Sequence, residues 1–379
     1  MIKMIEKGKI SAFQMAIILY ATVLATSILI VPSLTSKFAG RDLWLSPVWA
    51  SPIGFFTVYV VTRLHKLYPG ETIIQYCQHI LGPFPGKVIG FLYLIALVHF
   101  SGIILREYAE FVASSFLIKT PMAVVIGCLT FVCASTVRGG LEVIGRSAQV
   151  FSGLFVFPLL LMILLLLPEW KISNLFPVLE HGIMPSIRGA ATPQAWFSQS
   201  FLLTFFLPFV TDRVKVRKYG YATVFAILLT LVITDLTALF VFGRITPMLV
   251  YPVMNVASYV SIADFLEHLE SVVMAVWVVG IFVKVNAFYY ALVLGTAQWL
   301  NLSDYRPLVL PYGFIMTLFS FWSLPSLQAV AHILERVIPF YGTLFFTLIP
   351  SCLLLIALVK NKRRKRKMEN QTTSVREET

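Results

Sequence analysis

Roughly ten runs of apolar residues, most of them close to the 20 that an α-helix needs to cross a bilayer core, divide this chain. They fall at 11–34, 44–63, 86–114, 121–137, 144–167, 190–211, 219–241, 270–299, 307–324 and 335–359. Of the 379 residues 58% are hydrophobic and 13% charged, whereas water-soluble domains average about 25% charged residues. The expected fold class is therefore an all-α polytopic membrane protein with ten transmembrane helices, its principal partner the lipid bilayer. The net charge of +12 would suit nucleic acid in a soluble chain. Here much of it sits in short loops and one tail, as membrane topology requires, and nucleic-acid binding is not expected.

Ten spans put both termini on one side, and both are basic: Lys3, Lys7 and Lys9 in front, Lys362 through Lys367 behind. The positive-inside rule makes both cytoplasmic. The loops expected inside carry Arg63 and Lys66, then Arg138 and Arg146, then Arg213, Lys215, Arg217 and Lys218; those expected outside mix the signs, as in Glu169, Lys171, Glu180 and Arg188. The first run far exceeds a signal-peptide core and no small-residue cleavage site follows it, so it reads as a retained helix. Residues 1–359 form one ten-helix membrane domain. Residues 360–379 form a basic, disordered cytoplasmic tail, which adhesion to anionic lipid would favour by about 1 kcal/mol per basic residue near the surface. Cys77, Cys128, Cys133 and Cys352 show neither paired nor metal-ligand spacing and read as reduced packing thiols.

Two runs look interrupted. The first holds Leu24-Ala25-Thr26-Ser27, with Pro32 less than two turns on. The sixth holds Thr192-Pro193-Gln194-Ala195-Trp196-Phe197-Ser198-Gln199-Ser200-Phe201, followed by Pro208. Runs one and six correspond if ten helices are two sets of five, which enter the membrane in opposite senses. Paired broken helices in an inverted repeat point to a midplane binding site.

Ionisable groups inside apolar runs are the remaining signal. Lys284 lies within Phe282-Val283-Lys284-Val285-Asn286, where a lipid-facing lysine costs about 2.5 to 3.5 kcal/mol, so it is expected to face protein. It then holds a carboxylate solute, stands where a cation sits in related transporters, exchanges protons, or forms a structural ion pair. Arg106 and Glu110 share a helix face four residues apart and read as a pair, with Glu107 beside them. His99 reads as a hydrogen-bonded core histidine, and Asp235 as a packing acid partnered by Arg244 or Arg106. There is no phosphate-cradling glycine loop, metal-ligand cluster or nucleophile motif, so neither enzyme chemistry, a cofactor nor a metal is expected.

Several strings together resemble a known family. They are Ile10-Ser11-Ala12-Phe13-Gln14, Ile28-Leu29-Ile30-Val31-Pro32, Arg41-Asp42-Leu43-Trp44-Leu45, Tyr68-Pro69-Gly70-Glu71-Thr72 and Arg106-Glu107-Tyr108-Ala109-Glu110-Phe111. Leu207-Pro208, Leu269-Glu270 through Trp277, and Phe282-Val283-Lys284 complete the order. The chain resembles the B subunits of spore germination nutrient receptors, within the amino acid–polyamine–cation transporter superfamily. The resemblance implies an amino-acid-permease-like fold in the spore inner membrane, assembled with A and C subunits and sensing a small-molecule germinant, typically an amino acid. Carried over by position, the pocket is lined by Leu24, Ala25, Thr26 and Ser27, by Ala96 and Phe100, by Phe197, Ser198, Gln199 and Ser200, and by Lys284 and Phe288. The family often has Gly-x-Gly at the first break, where this chain has Ala25-Thr26-Ser27. The family often has Gly followed closely by Glu in helix six, where this chain has Ser200-Phe201-Leu202. Each added β-carbon limits backbone approach to a ligand. A secondary amino-acid transporter of the same fold, proton-coupled through Lys284 or unassisted, and a structural subunit with a decayed pocket are the rival readings.

Overall fold

The computed structural model describes residues 5–257 and 269–362; Lys3 and the tail beyond Lys362 lie outside the described residues. Among the described residues the fold is helical, with one isolated parallel bridge between Ile10 and Val210. Eight helices are long and apolar enough to cross a membrane.

The first of them, α1 (Ala12–Ala39), occupies the centre. Ser11 caps it by accepting from Gln14 N–H at 3.1 Å while the Gln14 side chain accepts from Ser11 N–H at 2.9 Å, a reciprocal capping box. It stops at Gly40, whose φ of +56° ends the helix where a side chain would be strained. The break expected at Ala25-Thr26-Ser27 is absent: these residues lie inside one uninterrupted helix of 28 residues. The reason is local. Alanine is the best helix former, and the hydroxyls of Thr22, Ser27 and Thr35 donate back to the carbonyls of Ile18, Val23 and Val31 at 2.6, 2.9 and 2.7 Å. No glycine frees the backbone between Ala12 and Ala39, and Pro32 removes one amide donor without ending the helix.

Around α1 stand α2 (Leu45–Leu67), the short α3 (Ile73–Leu81), α4 (Pro83–Ser115), α5 (Met122–Gly139) and α6 (Leu141–Leu165). The sixth expected span, 190–211, is segmented but not unwound: after α7 (Met184–Gly189) it runs through α8 (Ala191–Ser198), a 3₁₀ turn at Gln199–Leu202, α9 (Leu203–Phe206) and a second 3₁₀ turn at Leu207–Phe209, with helical dihedrals at each junction. Then come α10 (Val216–Phe242), α11 (Pro252–Ala257), α12 (Leu269–Trp299) and α13 (Val309–Trp322). At 14 residues α13 is about 21 Å long, short of a bilayer core of about 30 Å. The final helix, Leu327–Lys362, contains two π-helical turns, Ile333–Val337 and Leu344–Leu348. The long apolar helices thus number eight, and the other two expected spans are a segmented one and a short one.

The polar residues of α1 face protein. Thr22, Thr26, Ser27, Ser33, Thr35 and Ser36 are all buried, and α1 as a whole packs chiefly against α10, α12, α6 and α7. At the Ala12 end the chain is stapled shut. Ile10 N–H donates to Phe209 O at 3.1 Å, Thr211 N–H to Ile10 O at 3.0 Å, and Ala12 N–H to Asp212 Oδ1 at 2.6 Å. Buried Glu6 accepts from Gly8 N–H at 2.6 Å, from Tyr305 Oη at 3.0 Å and from Leu141 N–H, the first residue of α6, at 3.2 Å. A carboxylate at a helix N-terminus meets the positive end of the helix dipole. Burial first, and then the Glu6 charge, push the Tyr305 phenol up, which keeps its proton available for this bond.

Candidate functional site

Midway along α1, about 21 Å from either end at 1.5 Å per residue, the hydroxyl of Thr26 accepts two hydrogen bonds. One comes from Lys284 Nζ on α12 at 2.7 Å and the other from Trp196 Nε1 on α8 at 2.8 Å. All three side chains are at most 2% exposed. The cluster ties the central helix to the segmented span and to α12. It meets the demand that a buried ammonium and a buried indole N–H each find an acceptor. Lys284 faces protein, as expected, but its contact is a hydroxyl and not a carboxylate.

The remaining expected site residues divide into five groups. Leu24, Ala25 and Ala96 are buried in helix-to-helix packing, and Ala25 lies opposite Gly280, where an added Cβ would come 3.4 Å from the Ala25 Cβ. Ser27 and Ser198 give their hydroxyls to their own helices, at Val23 O and Ala195 O. Phe100 and Phe288 meet in an aromatic cluster: Phe100 stacks on Tyr341 at 5.0 Å between centroids and on Phe288 at 6.3 Å and meets Phe346 tilted at 4.6 Å, while Phe201 stacks on Phe346 at 5.1 Å and on Tyr93 at 5.2 Å. Phe197 packs over Gly54, where a Cβ would sit 2.9 Å from its ring, so that glycine is what lets α8 approach α2. Gln199 Oε1 and Ser200 Oγ, in the 3₁₀ turn, are buried without hydrogen-bond partners among the described residues.

Two residues enter the site that the sequence reading did not place there. Trp196 is one. The other is Glu107 on α4, 3% exposed, whose Oε1 is buried with no hydrogen-bond partner among the described residues. Glu107 lines a cavity of about 200 Å³ between α1, α4 and the final helix, together with Ile30, Ser33, Leu34 and Tyr251. Lys37 and Pro247 line both this cavity and a surface crevice of about 440 Å³ at the Ala39 end of α1, so the two adjoin. Arg106 pairs with Glu110, 2.8 Å from Nη2 to Oε1, as expected, which leaves the acid between them without a local cation.

Other expectations are corrected. Asp235 is fully buried, but both its carboxylate oxygens lack a hydrogen-bond partner among the described residues. Neither arginine named for it is free to serve, since Arg106 is held by Glu110 and by Pro325 O at 3.1 Å and Arg244 lines the surface crevice. His99 is half-buried against the Tyr341 ring at 5.5 Å, in place of the hydrogen-bonded core position expected. The four cysteines are free thiols, Cys77 and Cys133 buried and Cys128 and Cys352 exposed. Among the described residues no group of three or more His, Cys, Asp or Glu side chains could hold a metal ion.

Comparison with known proteins agrees with this architecture. The family model described as spore germination protein matches residues 9–328. Spore germination protein KB of Bacillus subtilis (strain 168) is 26% identical over 367 residues, covering 95% of this chain and 98% of that protein. Spore germination protein A2 of the same organism is 27% identical over 369 residues, covering 94% and 97%. Among solved structures, the crystal structure of MhsT in complex with L-phenylalanine superimposes with a TM-score of 0.66 at 14% identity, covering 93% of this chain and 99% of that one. A Na+-coupled sialic acid symporter in a substrate-bound outward-open state gives a TM-score of 0.63 at 12% identity, covering 90% and 78%. At these identities the structural likeness establishes the fold alone. The chain, a multi-pass helical membrane protein with a transporter-like fold, belongs to the spore germination protein family.

Proposed function

We propose that this protein is the membrane subunit of a spore germinant receptor, which binds a small nutrient, by default an amino acid, and passes the change in helix packing to A and C partner subunits in the spore inner membrane. The carrying observation is the Thr26–Lys284–Trp196 cluster, a buried polar junction of three elements, with Lys284 in electrostatic range of Glu107, which lines a cavity adjoining the surface crevice. A ligand settling against such a junction changes the packing of all three elements at once. To move a two-state subunit from mostly off to mostly on it must favour the active state by about 5.5 kcal/mol.

In this reading the ten spans form a five-plus-five inverted repeat. The segmented stretch from α7 to the turn after α9 is the sixth span and α13 the ninth, and residues 1–359 form the membrane domain. Two contacts favour a shared cytoplasmic side for both termini. Ile10 pairs with Val210 beside the basic loop that holds Arg213 to Lys218, and Lys360 Nζ donates to Ile80 O near the basic end of α2. The crevice at the Ala39 end of α1 is then the outer mouth. None of the twelve expected ligand residues lines the crevice or the cavity behind it, so in this reading a ligand entering by that mouth meets Glu107 first and reaches the Thr26–Lys284–Trp196 junction only if the helices part. The MhsT structure contains L-phenylalanine, and an amino acid remains the default ligand here by likeness of fold.

The test combines two measurements. Purified full-length protein in lipid nanodiscs is screened against the twenty amino acids by thermal melting, and spores depending on this protein are scored for germination with the same set. The expected result is one or a few amino acids active in both, with Lys284→Met weakening both responses. Accumulation of the labelled amino acid in vesicles holding this protein alone would replace the receptor with a transporter of the same fold. An absence of binding to any of them would leave the structural-subunit reading.

A further inference from the structure

Among the described residues Asp235 and Glu107 Oε1 are buried without hydrogen-bond partners, and of the two Glu107 lines a cavity. Arg106 is committed to Glu110, Lys37 to Glu335 at 3.2 Å, and Lys284 to Thr26 at 2.7 Å. Among the described residues no ion pair reaches Glu107, although Lys284 lies within its electrostatic range. The rest of the wall is largely aliphatic, with Ile30, Leu34, Leu249, Val250, Leu327 and Val330, and Lys37 contributes from the side that adjoins the crevice. A carboxylate in apolar surroundings is expensive to keep without a cation or N–H donors, and this wall does not supply them at Oε1. The cavity, about 200 Å³, holds on the order of seven water-sized volumes of about 30 Å³ each. That is room for one short, branched aliphatic body.

From this geometry we infer that the Glu107 cavity binds a small aliphatic primary amine, whose ammonium is held by the Glu107 carboxylate and whose carbon skeleton fills the space against α1 and the final helix. Where the ligand is a zwitterion, its carboxylate lies toward Lys37, whose part-exposed ammonium turns from Glu335 to meet it. The inference rests on the receptor reading and narrows it: the nutrient is recognised through its ammonium by an acidic side chain of α4, and its side chain is aliphatic.

The experiment uses full-length protein in lipid nanodiscs and three probes of similar size, isoamylamine, L-leucine and isocaproate, with melting midpoint against concentration as the readout. Isoamylamine and L-leucine are expected to raise the midpoint and isocaproate to leave it unmoved. Glu107→Gln, nearly isosteric, is expected to weaken both amines by about tenfold or more, the scale of one charge-assisted hydrogen bond. Ala331→Phe, which adds a ring to the final-helix wall of the cavity and leaves the Glu107 carboxyl chemically unchanged, is expected to abolish both. Lys37→Gln is expected to weaken L-leucine alone. Isocaproate binding as well as isoamylamine, or unchanged amine affinity in Glu107→Gln, overturns the inference while leaving the receptor reading intact if other amino acids still bind. No response to any of the three probes also overturns it, and the receptor reading falls with it only if the full amino-acid screen is silent too.

Discussion

Thr26 supplies one oxygen to two buried donors, so the consequences of removing it are asymmetric. Thr26→Val keeps the shape and strands both Lys284 Nζ and Trp196 Nε1. The expected loss is about 1–3 kcal/mol, read as a lower melting midpoint in nanodiscs. Lys284→Met removes the charge along with its need for a partner, and is expected to be neutral or stabilising because a buried ion is costly to keep. The double variant is expected to show a coupling of about 0.5–3 kcal/mol; simple additivity would mean that the two side chains do not interact. Lys284 was legible in the sequence because a charge within an apolar run has few explanations. Its partner was half legible, as a polar residue in another run. Trp196 was not, since an indole in an aromatic-rich stretch announces nothing about where its N–H points. Glu107 was hidden by its neighbours: with Arg106 and Glu110 it reads as one charged patch, and only the three-dimensional packing shows which acid is left over.

At the level of elements, α1 and the sixth span carried the same sequence signal and folded differently. Small and hydroxylated residues near a proline suggested a break in both. In α1 the hydroxyls turn back onto the helix's own carbonyls and the ladder continues. In the sixth span the backbone tightens at Gln199–Leu202, where Phe201 is stacked between Tyr93 and Phe346. Tertiary ring packing of this kind is not visible in local sequence. Continuity of α1 has a direct check. Ala25→Gly in a helix interior is expected to cost about 0.5–1 kcal/mol of stability, whereas at an unwound position it would be neutral or favourable. The staple at the other end of α1 has one as well. Glu6→Ala removes the acceptor for Gly8, Leu141 and Tyr305. Hydrogen exchange at the amides of residues 8–12 is expected to speed up, with little change in the middle of α1; unchanged protection would show that Glu6 is incidental to the staple.

For the whole molecule, the helical class and most span positions followed from apolar run length, because lipid leaves a long apolar run little choice but to become a helix. The number of full-length spans did not follow, because a 14-residue α13 and a segmented sixth span satisfy hydropathy without being long rods. The distribution of open space did not follow either, since it depends on where side chains meet. The two adjoining cavities belong to the Ala39 half of α1 and the staple to the Ala12 end. In a cysteine-free background, Ser33→Cys is expected to react with a membrane-impermeant thiol reagent applied from the outer face, and Ile10→Cys to resist it. Equal labelling of both would contradict the one-sided arrangement.

That staple fixes what occupancy means. Ile10, Ala12 and Glu6 bind the start of the chain to segments from both halves of the sequence, so in this conformation the Ala12 end of α1 is held closed while its Ala39 end adjoins the crevice. For a receptor of the kind proposed, such one-sided access is enough: occupancy then follows the concentration of solute on the crevice side alone.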